Sequence, residues 1–402
     1  MLDVRDPRLR LLAFDGNFGL EREALRVTED GHMAHTPHPF PADHPRIVRD
    51  FCENQTEINT RVWPTAEEAV GELKALNGDI LRVLGGSQLA ATESDAINCV
   101  PPVNLEYLWP FSNPPPLSGE DDVVPAKFVG AQSGKSSYRD YLAAKYGRYL
   151  MTYCGIHVNF SFGERLIETA WKNARLPCTV PHIPSPVPRD FRNELYLHVA
   201  AQCVKWGWAI VALTAASPRN GYASVRCSEN GYWNPFVPIL DFSSVRAYAK
   251  SIARYVQDGQ LIAPSELYYP IRLKPRGPNN LLSLVENGID HIEVRCVDLN
   301  PLTGGLVDVR DVEFIHLFFL WCASQERETL TAERQRESVA AFKAAARLDF
   351  DWTPVGELLE RMDEFFSGSA GWPSQVQRVL AFEAEKVYHP EKRYARMEAC
   401  HV

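Results

Sequence analysis

The sequence has no hydrophobic run long enough to cross a membrane and no excess of positive charge. Its most apolar stretches, WAIVALTAA (208–216) and FIHLFFLWCA (314–323), are well short of the ~20 residues that a membrane-spanning helix needs. Both are typical of buried helices. The formal net charge of −9 argues against an extended nucleic-acid surface. We therefore expect neither a membrane nor a nucleic acid among the partners.

CxxC pairs, internal repeats and low-complexity tracts are also absent. The nine cysteines are scattered, and the charged N-terminus MLDVRDPRLR lacks the apolar core of a secretory signal. An odd number of cysteines without such a signal indicates a reducing compartment, so we expect a cytoplasmic protein. Composition does not change across the proline-rich stretches 110–122 and 177–190, which predicts that residues 1–402 form a single domain.

Five segments have the sequence pattern of helices. Thr65 and Glu68 form a capping box ahead of apolar residues at helical spacing, and Gly85-Gly86 ends that segment. The other helices are predicted from Tyr138 to Tyr146, from about Asp190 to Leu213, from about Ser243 to Gln257 and from about Val309 to Ala323.

Polar and apolar side chains alternate in three predicted strands, so each strand has one polar face. The opposite face is apolar in two of them, but in FGLEREALRV it is mixed (Leu20, Arg22, Ala24 and Arg26), so the alternation is weaker there. A single polar face is usually solvated, as in many antiparallel sheets. Here the three polar faces together carry an unusual set of groups. They hold Glu21 and Glu23 in FGLEREALRV (18–27), His157 and Asn159 in GIHVNFSF (155–162), and Glu293 and Arg295 in HIEVRCVDLNP (291–301).

These groups suit a divalent cation and a nucleotide better than plain solvation. Mg²⁺ prefers oxygen ligands and substrate phosphates, and an arginine counters the charge on a transferring phosphoryl group. The stretch RDFCENQTEINT (49–60) adds Asp50 and Glu57. Because these two have opposite parity along a strand, a bulge or turn must lie between them if both reach one site. The pattern predicts metal-dependent phosphoryl chemistry on an antiparallel sheet.

Six segments in this order resemble the bacterial glutamate–cysteine ligases: FGLEREALRV, DFCENQTE, YRDYLAAKYG, GIHVNFS, LYYPIR and GIDHIEVRCVDLNP. The similarity is closest to the ligase that forms the N-terminal half of bifunctional glutathione synthases, and it extends over about residues 14–323. The resemblance implies an α+β fold with a curved, mainly antiparallel sheet and helices packed outside, related to glutamine synthetase and guanidino kinases.

The reaction implied by the resemblance has two steps and requires ATP and Mg²⁺, with Mn²⁺ as an alternative ion. ATP phosphorylates the side-chain carboxylate of L-glutamate, and the amine of L-cysteine then attacks the acyl phosphate to give γ-glutamylcysteine. A carboxylate is a poor electrophile, so phosphorylation supplies the leaving group. Metal ions and arginines reduce the repulsion between the anionic substrates.

The resemblance also implies roles for individual residues. The metal ligands would be Glu21, Glu23, Asp50, Glu57, His157 and Glu293. Glu293 and Arg295 would act in catalysis, and Arg295 and Asn159 would bind the nucleotide. Tyr138, Arg139, Arg226 and Tyr232 match substrate-contacting positions, and Phe51, Tyr232 and Tyr268 match the pocket for the cysteine side chain.

Five residues depart from the family pattern near the acceptor positions, Val158 among them. The other four are added to the substrate-binding candidates: Asn54, Met151, Tyr153 and Cys154. They leave two alternatives open. The chain could be a γ-glutamyl ligase that takes another small, apolar or non-proteinogenic amino acid in a specialised pathway. It could also be an inactive relative that binds nucleotide or glutamate, although the intact set of candidate ligands argues against this. The sequence does not indicate an oligomeric state.

Overall fold

The computed structural model describes residues 2–85, 105–128, 133–173, 189–368 and 371–399. A single antiparallel sheet lies at its centre. Its strands are β1 (Gly16–Thr28), β2 (Ile47–Arg49), β3 (Gln55–Asn59), β4 (Glu106–Leu108), β5 (Ile156–Phe162), β6 (Ile271–Pro275) and β7 (Ile289–Val297). Six of these strands follow the order β2-β3-β1-β5-β7-β6, and the seventh, β4, pairs with the far end of β1.

Helices surround this sheet. They are α1 (Pro7–Arg10), α2 (Ala66–Leu84), α3 (Gly134–Tyr146), α4 (Glu164–Asn173), α5 (Arg189–Trp206), α6 (Trp208–Thr214), α7 (Val245–Gln257), α8 (Leu281–Asn287), α9 (Val309–Ser324), α10 (Ala332–Ala345), α11 (Thr353–Ser367), α12 (Ser374–Tyr388) and α13 (Tyr394–Ala399). Among the described residues, no helix combines the length and the apolar character that crossing a bilayer requires. The predicted α+β class, with an antiparallel sheet and helices packed outside, is confirmed.

The apolar face of the sheet forms the core. Phe160 of β5 packs its ring against Phe18 of β1 and Phe319 of α9, with ring centroids 5.2 Å apart in both pairs. His316 joins this cluster as a neutral core residue, because burial lowers its pKa to about 4 and Ala13 supplies a carbonyl oxygen 3.0 Å from its Nε2 atom. The strands can therefore present their other face to a ligand.

The mixed face of β1 also lies in the core. Arg22 and Arg26 are fully buried there. Arg22 donates to the side chain of Asn77 in α2, and Arg26 forms an ion pair of 2.6 Å with Glu106 of β4. Buried guanidinium groups need such partners. Because these two arginines are buried with the apolar residues of their face, the alternation of polar and apolar residues in FGLEREALRV is weak. The prediction that Glu21 and Glu23 share the opposite face is nevertheless correct.

Two predicted helix boundaries change in the structure. The helix expected from Asp190 to Leu213 is two helices, because the chain breaks at Gly207 between α5 and α6. A side chain at Gly207 would overlap the Cys203 carbonyl oxygen, so this position requires glycine. The helix expected from Tyr138 begins four residues earlier, at Gly134. By contrast, Thr65 caps α2 and Gly85 follows its last residue, as predicted. The stretch 177–190 lies almost entirely outside the described residues.

A buried charge cluster fixes α12 to α9. Lys386 pairs with Asp311 and Glu383 at 2.8 Å each, and all three side chains are at most 2% exposed. Two carboxylates thus share one ammonium group. Burial and the Asp311 carboxylate raise the pKa of Glu383 well above its usual range, although Lys386 opposes the change.

As the pH rises from 5 to 8, the free energy of unfolding of Glu383→Gln is expected to increase relative to that of the unchanged protein. The unfolded state loses the Glu383 proton near pH 4.3, whereas the folded state retains it to higher pH. Ionisation therefore removes stability over this window, on the order of 1.4 kcal/mol per pH unit. Urea unfolding at both pH values measures the difference. Glu385→Gln, at an exposed position of the same helix, serves as the control. If the difference in unfolding free energy between Glu383→Gln and the unchanged protein does not change with pH, the raised pKa of Glu383 is contradicted.

Candidate active site

Strand register brings the polar residues of different strands side by side on the second face of the sheet. Each cross-strand pair here follows from the antiparallel pairing. The pairs are Glu23 with Glu57 and Glu21 with Asn59 between β1 and β3, Glu21 with His157 between β1 and β5, Asn159 with Glu293 between β5 and β7, and Glu293 with Arg272 between β7 and β6.

A cavity of about 220 Å³ lies over this face. Most of the predicted site residues line it, and they come from segments far apart in the sequence. These are Glu21, Glu23, Asp50, Phe51, Glu57, Tyr138, Arg139, Met151, Tyr153, His157, Arg226, Tyr232, Tyr268, Glu293 and Arg295. Asp50 and Glu57 reach it together because a turn separates them, closed by the bond from Gln55 N to Cys52 O (3.0 Å).

Three predicted site residues do not line the cavity. Asn54 is buried in the same turn, and its amide donates to the Arg26 carbonyl at 3.1 Å. Cys154 is buried and accepts from the Gln55 amide at 3.4 Å. Asn159 donates to Glu21 at 3.0 Å, so it acts through that carboxylate. For Asn54 and Cys154 the structure provides no direct path to a substrate.

Glu293 has the most unusual surroundings in the cavity. Lys274 Nζ and Arg295 Nη1 lie 3.0 and 3.2 Å from its Oε1 atom, and Arg272 Nε lies 3.7 Å from its Oε2 atom. Burial alone would raise the pKa of Glu293, but these cations hold it well below its usual range. The carboxylate is therefore ionised at neutral pH.

Glu23 and Glu57 are in the opposite electrostatic situation. They stand directly across from each other, a pairing of like charges that destabilises a sheet. Burial and the Asp50 carboxylate raise the pKa of both residues, that of Glu57 to about 8. Arg139 offsets part of this charge through its pairing with Asp50 at 3.4 Å. Three carboxylates, of Glu23, Asp50 and Glu57, thus meet at this end of the cavity, and a cationic ligand would offset the negative charge that the arginines leave uncompensated.

The side chains present fit a divalent cation. Glu21, His157 and Glu293 each have a ligand atom within 4.8 Å of the others. The buried Oδ1 atom of Asn159 has no hydrogen-bond partner, and the two buried oxygens of Glu293 have cations beside them but no hydrogen bond of regular geometry. Buried oxygens without partners are costly unless something else binds them. A site of carboxylate oxygens and one imidazole suits Mg²⁺ or Mn²⁺.

The loop that follows Ser224 positions Arg226 and Tyr232 together. Tyr232 N donates to Arg226 O at 2.9 Å, and the turn between them allows no side chain at Gly231, where a Cβ would overlap the Arg226 carbonyl. The Arg226 guanidinium in turn passes directly over Gly155, ahead of β5. The glycine in GIHVN is thus required by an arginine from a distant loop.

The resemblance implies a substrate-contacting role for Arg226, and on that expectation Gly155→Ala should weaken glutamate binding, since the new methyl group would displace the Arg226 guanidinium. We expect the glutamate KM to rise about tenfold, the value of one charge-assisted hydrogen bond. Steady-state kinetics with varied glutamate measure this. Gly71→Ala is the control, because nothing lies within 4 Å of a Cβ at that exposed position of α2. An unchanged glutamate KM would show that Arg226 does not depend on Gly155.

The sequence analysis missed two cationic residues of the site. Arg272 and Lys274 line the cavity from β6. The signal was present, because they alternate with the buried residues Ile271 and Leu273 in IRLKP, as in the other three strands. Ser265 and Leu142 also line the cavity and have no comparable pattern.

Comparisons with known proteins identify the family of this chain. A family model described as glutamate-cysteine ligase matches residues 4–230 and 236–344. The glutathione biosynthesis bifunctional protein of Listeria monocytogenes is 32% identical over 438 residues, covering 98% of this chain and 53% of that protein. The glutamate–cysteine ligase of Clostridium acetobutylicum is 28% identical over 397 residues, covering 83% of this chain and 77% of the relative.

A solved structure gives the same result. The crystal structure of a bifunctional glutathione synthetase from Pasteurella multocida aligns with a TM-score of 0.77 at 26% identity, covering 98% of this chain and 50% of that one. The present chain spans about half the length of the bifunctional relatives it matches. The family match and the arrangement of acidic and basic groups on the sheet lead to one conclusion: the chain belongs to the glutamate–cysteine ligase family.

Proposed function

We propose that this chain is an ATP-dependent ligase that phosphorylates the γ-carboxylate of L-glutamate and joins it to the amine of L-cysteine. The observation that carries the proposal is the pairing of Glu23 with Glu57 beside the Glu21–His157–Glu293 cluster. One end of the cavity requires added positive charge, and the other end offers Arg295 and Lys274 to an anion. A metal–nucleotide complex has both charges.

Mg²⁺ is the proposed ion, held by Glu21, Glu23, Asp50, Glu57, His157 and Glu293. When bound, it would offset the charge of ATP and glutamate and polarise the transferring phosphoryl group. His157 Nδ1 lies 3.0 Å from Glu21 Oε2, and because the ionised carboxylate can only accept, the imidazole donates this hydrogen bond, which fixes the ring and orients its other nitrogen. Burial lowers the pKa of His157, so the imidazole is neutral and able to act as a ligand.

The cationic side chains around Glu293 are proposed to bind the nucleotide phosphates. Arg295 would contact the transferring phosphoryl group, with Asn159 near the nucleotide. We add Arg272 and Lys274, which reach the cavity from β6 and stand at the same carboxylate. Arg226 would bind a glutamate carboxylate, and Tyr138 and Arg139 complete the substrate contacts from α3.

The acceptor pocket is proposed to lie at Phe51, Tyr232 and Tyr268. The Tyr232 and Tyr268 rings are in contact, with centroids 4.1 Å apart. Both rings also border a void of about 30 Å³ that Cys227 and Cys296 line from behind. A space of this size admits a small apolar or thiol side chain and excludes a large one. Met151 and Tyr153 line the main cavity nearby and are the remaining candidates for acceptor selectivity.

ADP release from the purified protein with ATP, Mg²⁺ and L-glutamate tests the function. The acceptors compared are L-cysteine, 2-aminobutyrate, alanine, serine and longer apolar amino acids. Strong and selective stimulation by cysteine is the expected result. Preference for a non-thiol acceptor would assign the same chemistry to a specialised pathway. No ADP with any acceptor would refute the proposal and favour an inactive relative that binds nucleotide or glutamate.

We also propose that residues 1–402 act as one catalytic unit in the cytoplasm. The buried residues of the sheet, of α9 and of α12 belong to one continuous apolar core, which supports a single unit. The described cysteines Cys52, Cys154, Cys203, Cys227, Cys296 and Cys322 are buried free thiols, as suits a reducing compartment.

A further inference from the structure

Three segments far apart in the sequence form the wall of the proposed acceptor pocket. Helix α3 contributes Tyr138, the loop after Ser224 contributes Tyr232, and the segment before β6 contributes Tyr268. Behind this wall lies Glu266, a completely buried carboxylate that does not line the cavity. Its hydrogen bonds reach α3 and the segment before β6 directly, and they reach the loop through Asn234.

The Glu266 carboxylate connects α3 to the segment before β6. Its Oε1 atom accepts a hydrogen bond from the Tyr146 hydroxyl at 2.7 Å and pairs with the Lys145 ammonium. Its Oε2 atom accepts from the backbone N–H of Ile262 at 2.6 Å. Lys145 also donates to the Gln260 carbonyl at 2.6 Å. The last turn of α3 is thereby bound to residues 260–266.

Asn234 brings the third segment into the same network. Its amide nitrogen donates to the Glu266 carbonyl oxygen at 2.9 Å and to the Tyr146 hydroxyl at 3.2 Å. Its Oδ1 atom accepts from the backbone N–H of Tyr268 at 2.8 Å. Asn234 is itself buried and lies two residues after Tyr232. Asn234 therefore restrains both tyrosines: Tyr232 through the short stretch of chain between them, and Tyr268 through a hydrogen bond to its backbone.

The network also holds the ring of Tyr268 directly. Tyr146 packs edge-on against Tyr268, with ring centroids 5.4 Å apart, while the Tyr232 ring lies 4.1 Å from the same Tyr268 ring. The Tyr146 hydroxyl is fixed by Glu266 and Asn234, so its ring has little freedom to move away. Buried, fully bonded polar groups of this kind specify one arrangement of their neighbours.

We propose that Glu266, Tyr146 and Asn234 are positioning residues that set the spacing of Tyr232 and Tyr268 and so determine which acceptor side chain fits. This inference rests on the proposed function, because it assumes that the tyrosine pair borders the acceptor. None of the three residues lines the cavity, so each acts through a residue that does. Loss of the network would let the two rings separate and would enlarge the pocket without removing any side chain that lines it.

Tyr146→Phe is the principal test, because it removes the hydroxyl that joins Glu266 to Asn234 and keeps the ring against Tyr268. The cysteine KM is expected to rise about fivefold, the value of one neutral hydrogen bond. The KM values for glutamate and ATP should stay within about twofold, since those sites lie on the sheet. The ratio of kcat/KM for cysteine over 2-aminobutyrate should fall.

Tyr141→Phe is the matched control. The Tyr141 hydroxyl also accepts from Lys145, at 3.0 Å, but the residue makes no bond to Glu266 and does not line the cavity. Glu266→Gln and Glu266→Ala form a second series. Glutamine retains an oxygen for Tyr146 or for Ile262 and should preserve most of the cysteine affinity, whereas alanine should lose more of it. A merely structural role would lower the melting temperature in both without separating the KM values.

The outcomes distinguish this inference from the function on which it rests. If the unchanged protein releases no ADP with any acceptor, the proposed function is refuted and the inference with it. If the unchanged protein is active with cysteine but Tyr146→Phe and Tyr141→Phe have equal acceptor KM values and equal selectivity, only the positioning role is refuted. A parallel rise in the KM values for cysteine, glutamate and ATP would also overturn it.

Discussion

Glu293→Gln is expected to reduce acceptor-dependent ADP release by about a thousandfold, the upper range for removing one preorganised charged group. Glu293 is the one acidic side chain of the described site that belongs to the Glu21–His157–Glu293 cluster and also contacts three cations. Its loss removes a proposed metal ligand and at the same time releases Arg272, Lys274 and Arg295 from their shared partner.

Metal binding provides a second readout for this variant. Mn²⁺ titration followed by electron paramagnetic resonance should show at least one site weakened in Glu293→Gln. The fold should survive, because each of the three cations keeps 13–17% of its side chain exposed to solvent. Glu53→Gln is the matched control, since Glu53 comes from the DFCENQTE segment and accepts from Arg49 outside the cavity. Near-normal turnover with unchanged Mn²⁺ binding in Glu293→Gln would refute the metal assignment.

Tyr268→Ala is expected to raise the acceptor KM by about 10- to 100-fold while the glutamate KM stays nearly constant, as for other pockets that lose a packing side chain. Tyr268 is 5% exposed, and its ring contacts the rings of both Tyr232 and Tyr146. Its removal merges the 30 Å³ void with the main cavity, so discrimination between cysteine and larger apolar acceptors should fall.

Tyr268→Phe is the conservative partner of this variant. It keeps the ring and should retain most of the acceptor affinity, which separates packing from any role of the hydroxyl. Steady-state kinetics with acceptor and glutamate varied in turn measure both effects. An equal rise in the two KM values would remove Tyr268 from the acceptor site.

Much of the candidate site could be predicted from the sequence, because strand alternation is a local property. Glu21 and Glu23, or Glu293 and Arg295, share a face whatever their strands pair with. The turn between Asp50 and Glu57 was predicted in the same way, because two residues an odd number of positions apart face opposite sides of an unbroken strand. The family resemblance then joined separate segments that no periodicity connects.

Other features depended on pairing between distant segments. The direct opposition of Glu23 and Glu57 follows from the register of β1 on β3, and burial together with the Asp50 carboxylate raises the pKa of both residues. Asn54 was assigned to the acceptor region by its place in a motif, yet in the folded chain its amide is used by the Arg26 carbonyl. A motif shows which residues are neighbours in the chain, but it does not show where each side chain points or which partner it hydrogen-bonds.

By itself, then, the sequence determined the α+β class, the polar face of each strand and most of the acidic and basic groups over the sheet, because these depend on short-range periodicity and on recognisable segments. Only the tertiary structure decided how that face is assembled. It placed Arg272 and Lys274 at Glu293, divided the predicted helix at Gly207 and connected three pocket segments through Glu266. Register, burial and ion pairing are set by contacts between residues that are distant in the chain, and no local pattern specifies them.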